Sequence, residues 1–287
     1  MTTRFQLGWL RDLPDIRDFE ADSTKVGIQL PQTKQDVATW FQKSKATTVQ
    51  AVPSEVNLIK WFSPVENQLN LGSCTANAGV GLLEYFENRA FGTFVDASRL
   101  FLYKVTRNLL GWTGDTGAYL RTTMKAMAAF GVVPEAHLPY DVSKFDQEPS
   151  AFAYAYAQDF KSMSYFRLDQ AGLQPAQVLQ RIKAFIAAGY PSMFGFTVYS
   201  FGNSKGEFPF PSPTDKVLGG HAVVAMGYDD SRVIGTCKGA LKIRNSWGTG
   251  WGDVGYGWLP YDYVLKGLAV DFWSLFRAEY LDTKKFD

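Results

Sequence analysis

Cys74 follows a glycine turn, Leu71-Gly72-Ser73, and precedes a stretch whose apolar residues recur at helical spacing. A thiol in the first turn of a helix feels the positive end of the helix dipole and unsatisfied backbone N–H groups, which favour the thiolate. Gln68, six residues upstream, can donate its side-chain amide to an oxyanion near the sulfur. These residues predict nucleophilic attack on a carbonyl, a reaction that also needs a base.

His221 follows Gly219-Gly220 and opens an apolar stretch over residues 222–228 that is typical of a strand. A histidine in this position can face a cleft and contact the thiol. Asn245 ends a second predicted strand, and its amide oxygen would orient the imidazole as the third member of a triad does. Trp247 would shield that hydrogen bond from water. Taken singly, each residue also has an ordinary explanation in a core, a turn or packing.

The remaining histidine and cysteine are interpreted as structural. His137 lies in a predicted turn, and few sites use any given titratable residue. Cys237 lies near a predicted hairpin without a donor or base beside it in sequence, which favours a free structural thiol. None of the cysteines and histidines has the paired spacing of zinc ligands, so we expect no metal and no cofactor.

Three helices are predicted between Cys74 and about residue 140. The first ends at Gly92, because glycine readily adopts the left-handed conformation that commonly follows the last residue of a helix. The second covers Ala97–Asn108 with Asp96 as its cap, and the third ends at Gly131. The apolar face of the third helix consists of Leu120, Met124, Met127 and Phe130.

The second half of the chain changes from helices to short apolar runs. A helix is predicted over Gln177–Ala188 and closed by Gly189, whereas Ala151–Phe160 fits either a helix or a strand. Phe201–Leu218 reads as a long surface loop near the site. Helices followed by strands predict an α+β protein with two lobes. The predicted antiparallel strands are Ser192–Val198, His221–Tyr228, Ala240–Arg244 and Gly255–Leu259.

Composition narrows the classes of partner. The 287 residues carry a net charge of +1, which gives no argument for binding nucleic acid or an acidic membrane surface. The chain lacks the run of about 18 apolar residues that a membrane span needs, and its start lacks the apolar stretch of a secretory signal. We therefore expect a cytoplasmic protein or one exported by a signal-independent route. Residues 1–51 are polar and predict either a mobile leader or a built-in plug.

Four motifs together resemble the papain-like cysteine peptidases. They are Gln68 to Cys74, His221 with Ala222-Val223 behind it, the Asn245 to Gly252 run, and the Val52-Pro53-Ser54-Glu55-Val56 start. The resemblance covers roughly residues 52–262. It implies a helical lobe (about 74–140) and a barrel-like β lobe (about 150–262) within a catalytic domain of residues 52–287. The active site would lie in the cleft between the lobes.

The resemblance also implies a role for each matching residue. Cys74 would be the nucleophile, His221 the general acid and base, and Asn245 the residue that orients His221. Gln68 and the Cys74 backbone N–H would form the oxyanion hole. Gly117 would form hydrogen bonds with the substrate backbone. Gly195 and Ala222 would line the pocket for the second residue before the cleaved bond, and Trp247 would also contact substrate.

The chain departs from the family pattern at Thr75, where an aromatic residue is usual, and at Leu71, which replaces a disulfide cysteine. None of the family's disulfides can form. The leader of residues 1–51 resembles that of short-leader bacterial members such as xylellain, and in the family the leader crosses and blocks the cleft. We therefore expect a peptide or protein substrate and the chain's own leader as an intramolecular inhibitor. Exopeptidase, acyl-transferring and non-catalytic peptide-binding variants of the fold are the alternatives.

Overall fold

A computed structural model of the chain describes residues 6–20, 52–161, 163–200 and 206–277, together with Thr283 and Lys285. Most of the predicted leader, residues 1–5 and 21–51, lies outside these ranges, as do residues 201–205 of the predicted loop. The described part of the leader is therefore residues 6–20.

Helices fill the first half of the described chain, as predicted. The first of them ends at Phe91, and Gly92 caps it in the left-handed conformation with φ +77°. The third ends at Phe130 ahead of Gly131 and buries Leu120, Met124 and Met127. The described helices are α1 (Cys74–Phe91), α2 (Arg99–Leu110), α3 (Leu120–Phe130), α4 (Ala151–Ala157), α5 (Pro175–Ala187) and α6 (Tyr261–Leu265), and single 3-10 turns lie at Ile59–Trp61, Glu135–His137, Val142–Lys144 and Gln158–Phe160.

Two helix boundaries differ from the prediction. The cap of α2 is Ser98, whose hydroxyl accepts a hydrogen bond from the Phe101 N–H at 3.1 Å, so the prediction of Asp96 was wrong. α5 starts at Pro175, because the fixed φ of proline suits the first helical position. The segment that fitted either a helix or a strand forms α4, with the Ser150 hydroxyl as its cap.

Strands dominate the second half and form one antiparallel sheet. Its strand order is β4-β9-β5-β6-β7-β8, and β2 pairs with β6. A separate pair, β1 and β3, is parallel and joins the leader to the helical half. The described strands are β1 (Trp9–Leu10), β2 (Glu55–Asn57), β3 (Ala118–Tyr119), β4 (Met163–Arg167), β5 (Ser192–Tyr199), β6 (Val217–Ile234), β7 (Cys237–Arg244), β8 (Tyr256–Pro260) and β9 (Ala269–Arg277).

The sheet is longer than the sequence predicted. β6 begins at Val217, which pairs with Tyr199, so the end of the predicted loop at Leu218 was placed too late. β4 and β9 were not predicted at all, and β9 supplies the strand between β4 and β5. The overall architecture, helices followed by an antiparallel sheet, confirms the predicted α+β fold.

α1 connects the two halves, because it packs against α2 and α3 on one side and against the sheet on the other. Arg244, the last residue of β7, reaches across this contact and donates to Ser63 Oγ at 3.2 Å and to the Pro64 carbonyl at 2.7 Å. A methyl group at Gly81 of α1 would lie 2.4 Å from the Arg244 guanidinium, so only glycine leaves room for it. This contact ties the end of β7 to residues 63–64 and to the middle of α1.

Candidate active site

Cys74 is the first residue of α1 and is fully buried. The turn before it is held by Asp115, whose two carboxylate oxygens accept from the Gly72 N–H at 2.9 and 3.1 Å. Tyr103 donates to the same carboxylate at 2.6 Å and accepts from the Gly117 N–H at 3.1 Å. One hydrogen-bonded unit therefore connects the turn before Cys74 with the glycine loop that contains Gly117.

His221 lies on β6, and Asn245 directly follows the neighbouring strand β7. Nε2 of His221 is 2.7 Å from Oδ1 of Asn245, and that oxygen also accepts from the Ser246 N–H at 2.8 Å. Because an amide oxygen only accepts, the neutral imidazole carries its proton on Nε2 and leaves Nδ1 as the base. Among the described residues, Nδ1 has no hydrogen-bond partner. Trp247 stacks on the imidazole, with ring centroids 4.5 Å apart.

Gln68 is buried and held in one orientation. Its Oε1 accepts from the Ser246 hydroxyl at 2.5 Å. This contact places the donor atom Nε2 on the opposite side of the amide from Ser246. Nε2 donates to the Leu71 carbonyl and to the Gln6 carbonyl, both at 2.9 Å. Ser246 thus connects Gln68 with Asn245, because its hydroxyl donates to the Gln68 side chain and its backbone N–H donates to the Asn245 side chain.

Burial and nearby backbone amides together set the pKa of the Cys74 thiol. The backbone amide of Ala222, directly after His221, acts on the sulfur and lowers its pKa, and so does the amide of Gly8. Burial nevertheless dominates and raises the pKa of the thiol to about 11. Burial also lowers the pKa of His221 to about 4, against the opposing effect of the Asn245 hydrogen bond. The thiolate predicted from the helix terminus is therefore not the favoured form in this closed arrangement.

The described part of the leader runs directly over Cys74. The Gly8 carbonyl accepts from the Ala118 N–H at 2.8 Å, and Trp9 pairs in parallel register with Ala118. The approach is so close that a methyl group at Gly8 would lie 1.9 Å from the Gly72 carbonyl oxygen. A methyl group at Gly117, where φ is +72°, would lie 2.2 Å from the Gly8 carbonyl oxygen.

Trp9 fills a recess in the β half of the molecule. Gly195 of β5 pairs with Ala222 of β6, and a methyl group at Gly195 would lie 1.9 Å from the indole ring. The indole N–H donates to Oδ2 of Asp271 at 3.1 Å, and Trp9 is 6% exposed. Gly195 and Ala222, which the resemblance assigns to one pocket, are thus paired across β5 and β6, whereas Asp271 was not identified from the sequence.

The comparison with known families decides the identity of the fold. The sequence profile described as papain family cysteine protease matches residues 52–265. The chain belongs to the papain family of cysteine proteases.

Individual relatives match a larger share of the chain than residues 52–265. A peptidase C1-like protein of Acanthamoeba polyphaga mimivirus is 32% identical over 93% of this chain and 86% of its own length. Mouse cathepsin K is 29% identical over 86% of this chain and 71% of its own length. The crystal structure of xylellain, a cysteine protease from Xylella fastidiosa, is 30% identical, has a TM-score of 0.73, and covers 97% of this chain and 99% of its own.

Several residues around the candidate site were not identified from the sequence. Asp115 and Tyr103 stand out only in the structure, where they bridge two loops that the sequence separates. Asp271 is recognisable by its left-handed φ of +68° and by burial, neither of which a single sequence shows. Trp9 does lie in a Gly-Trp pair of the leader, and that pair is the one signal that could have placed it in the cleft.

Other chemistry-bearing residues of this papain-family chain lie in separate environments. His137 packs edge-on against Tyr156, with ring centroids 5.1 Å apart, and Cys237 is a buried free thiol on β7. The carboxylates of Glu66, Asp96 and Glu135 gather within 4.8 Å, but Arg99 forms ion pairs with Glu66 and Glu135. Within the described ranges, no helix is both long and apolar enough to cross a membrane.

Proposed function

We propose that this papain-family protein is an endopeptidase that cleaves peptide bonds through an acyl-enzyme on Cys74. The observation that carries the proposal is the 2.7 Å contact between His221 Nε2 and Asn245 Oδ1, which leaves Nδ1 as the basic nitrogen. His221 lies on β6, the strand that packs against the helix that begins at Cys74. Gln68 supports it, because its Nε2 is aimed by Ser246 and can donate to a developing oxyanion.

In the proposed reaction, Nδ1 of His221 takes the thiol proton and the sulfur of Cys74 attacks the substrate carbonyl carbon. The carbonyl oxygen becomes an oxyanion held by Gln68 Nε2 and the Cys74 backbone N–H. When the intermediate collapses, the C–N bond breaks and His221 gives its proton to the leaving amine. Water then attacks the thioester with His221 as base, and the carboxylic acid product leaves the regenerated thiol.

The leader is proposed as an intramolecular inhibitor of the same site. The Gln6 carbonyl uses the Gln68 donor, the Gly8 amide lies at the Cys74 sulfur, and Trp9 fills the recess beside Gly195. Substrate, oxyanion hole and base therefore cannot meet while these residues stay in place. The raised pKa of Cys74 and the lowered pKa of His221 are consistent with a catalytic pair kept neutral.

The direction of the leader supports inhibition rather than cleavage. A productive substrate would place its scissile carbonyl at Gln68 and its preceding residues toward Gly195. The leader places the Gln6 carbonyl at Gln68, but the residue that reaches Gly195 is Trp9, which follows Gln6 in sequence. The leader thus runs opposite to a productive substrate, and the bond after Gln6 is not presented for cleavage.

Ion pairs hold the leader in the cleft. Arg121 of α3 binds Asp12 and Asp18, with a distance of 2.6 Å between its Nε and Asp18 Oδ1. Arg167 of β4 lies 3.5 Å from Asp18 and donates to the Asp12 carbonyl at 3.3 Å. Because these groups are mostly buried, the pairs specify one position of the leader.

Hydrolysis of a fluorogenic peptide by the full chain tests the proposed function. The assay uses the Trp9→Ala variant, in which the recess beside Gly195 is no longer filled by the leader. Cys74→Ala in this background should abolish turnover, whereas Cys237→Ala, the matched control, should retain it. Turnover that survives Cys74→Ala would overturn the proposal.

A further inference from the structure

The recess that holds Trp9 has a polar acceptor at its end, which a purely apolar pocket would lack. Asp271 is fully buried on β9, and its Oδ2 accepts from the Trp9 indole N–H at 3.1 Å. Its Oδ1 accepts from the Trp273 indole N–H at 2.7 Å and lies 3.2 Å from Arg167 Nη1. The carboxylate therefore has one oxygen engaged by the protein and one directed at the occupant of the recess.

We infer that Asp271 is a specificity-determining residue that selects tryptophan as the second residue before the cleaved bond. The inference rests on the proposed peptidase function and on the assignment of Gly195 and Ala222 to that subsite. The leader is the observed occupant, and its Trp9 shows which side chain the recess fits: a flat bicyclic ring with an N–H at its far edge.

The shape of the recess favours a large flat ring. Methyl groups at Gly195 and Gly220 would lie 1.9 and 2.6 Å from atoms of the indole, so two glycines create the space that the ring occupies. Trp9 is 6% exposed there, and a buried indole needs a partner for its N–H. Asp271 supplies that partner.

Hydrogen bonding favours tryptophan over phenylalanine or leucine. In the described structure, Asp271 Oδ2 has the Trp9 N–H as its hydrogen-bond donor. A side chain of similar size without an N–H would leave this buried carboxylate oxygen unpaired, and hydrogen bonds to charged groups contribute strongly to binding. The expected preference is about tenfold to a hundredfold in kcat/KM.

Charge balance favours a neutral donor over lysine or arginine. Asp271 and Asp169 face Arg167, which forms ion pairs with both. Arg121 lies on the neighbouring Trp273 ring, with its guanidinium carbon 5.8 Å from the ring centroid. Once Asp12 and Asp18 leave with the leader, two arginines and two aspartates remain at this end of the recess. Burial raises the pKa of Asp271 to about 7 and also raises the pKa of Asp169, so the two aspartates carry at most the negative charge that cancels the two arginines. The recess therefore offers no net attraction to a cation.

The test compares reporter peptides that differ at one residue. The full chain carrying Trp9→Ala is assayed with peptides that have tryptophan, benzothienylalanine, phenylalanine or arginine as the second residue before the cleaved bond. Benzothienylalanine keeps the bicyclic ring but has sulfur in place of the N–H. We expect kcat/KM for the tryptophan peptide to exceed that for the benzothienylalanine peptide by at least about tenfold.

Asp271→Asn in the same background should bring that ratio below about threefold, because one amide oxygen cannot serve both Trp273 and the substrate. Asparagine tolerates the left-handed φ of this position. Asp141→Asn, a solvent-facing control, should keep the ratio. Equal turnover of the two peptides by the enzyme with Asp271 intact would overturn the inference alone, even if Asp271→Asn failed to fold. Absence of turnover of every peptide would instead overturn the peptidase function on which the inference rests.

Discussion

Gln6 offers its backbone carbonyl to the side-chain amide of Gln68 at a distance of 2.9 Å. The donor that is proposed to hold the oxyanion is thus already engaged by the leader of the same chain. Gly8 and Trp9 continue this contact across Cys74 and into the recess of the β half. The proposed inhibition therefore consists of occupation of each proposed binding element by a backbone or side-chain group of Gln6, Gly8 or Trp9.

Removing the Trp9 side chain should activate the full-length protein. A buried tryptophan contributes about 3–5 kcal/mol, so Trp9→Ala should raise the rate of peptide hydrolysis at least tenfold. Trp9→Phe keeps the ring but loses the hydrogen bond to Asp271, and an intermediate rate is expected. Ile16→Ala, at a leader position that is 93% exposed, is the control and should match the unmodified chain. Identical rates for all four proteins would contradict a leader held by Trp9.

Asn245 should affect turnover more than substrate binding. Asn245→Ala removes the acceptor that keeps the proton of neutral His221 on Nε2, so a smaller fraction of the enzyme has a basic Nδ1. We expect kcat to fall at least tenfold with KM nearly unchanged, measured in the Trp9→Ala background. Asn108→Ala on the surface of α2 is the matched control. A change confined to KM would argue against an orienting role for Asn245.

The Asp115 carboxylate should act as a clamp on the turn before Cys74, because it accepts from the Gly72 N–H. Asp115→Ala leaves the Gly72 N–H and the Tyr103 hydroxyl without this acceptor, which should cost about 2–3 kcal/mol of stability and lower kcat/KM. Asp115→Asn keeps one acceptor oxygen and should recover part of both losses. Thermal unfolding and peptide hydrolysis report the two effects. An unchanged melting temperature in Asp115→Ala would exclude the clamp.

Stability should fall as the pH rises from 6 to 9. Burial raises the pKa of Glu84 to about 7 and that of Glu66 to about 8, from an ordinary value of 4.5. The folded chain therefore binds more protons than the unfolded chain above pH 4.5, and this stabilisation is lost as the pH passes through 7 and 8. His221, with its lowered pKa, acts in the opposite direction only below about pH 6.5.

The measurement is the melting temperature at pH 6, 7, 8 and 9. A loss of about 1–3 kcal/mol over this range is expected, and Glu84→Gln should reduce it because the amide does not ionise. Glu55→Gln, at an exposed position, should leave the pH dependence as it is. A melting temperature that rises between pH 6 and 9 would show that these carboxyls ionise freely in the folded chain.

Local elements were predicted well from spacing, and the family resemblance supplied the distant partners His221 and Asn245, but other contacts between distant segments were not predicted. Cys74 at a helix start and His221 on a strand follow from local spacing. The structure joins Asn245 to His221 directly and to Gln68 through Ser246. Ser98 rather than Asp96 caps α2, because both are good caps and only the packing of the helix selects one. β9 was missed since the positive φ of Asp271 and the register with β4 and β5 depend on partners far along the chain.

The contacts of the leader could not be predicted for the same reason, although the family resemblance implied that the leader blocks the cleft. A polar segment with few apolar residues has no periodicity that could reveal where it lies. Its position is set by Arg121 and Arg167, which ion-pair with its aspartates, and by a recess that two glycines create. None of these partners is within 100 residues of Trp9, so the leader could be placed only by the fold.

The most direct test of a peptidase closed by its own leader is the rate at which Cys74 is alkylated. An epoxide-type peptidyl inhibitor is applied at mildly acidic pH to the full chain and to Trp9→Ala, and labelling is followed by intact mass with Cys74→Ala as the control. Burial raises the pKa of the Cys74 thiol in the closed chain, so the unmodified protein should label slowly. Trp9→Ala should label at Cys74 at least tenfold faster. Equal and fast labelling of both proteins would contradict closure by the leader, and absence of labelling at Cys74 in both would contradict an active thiol.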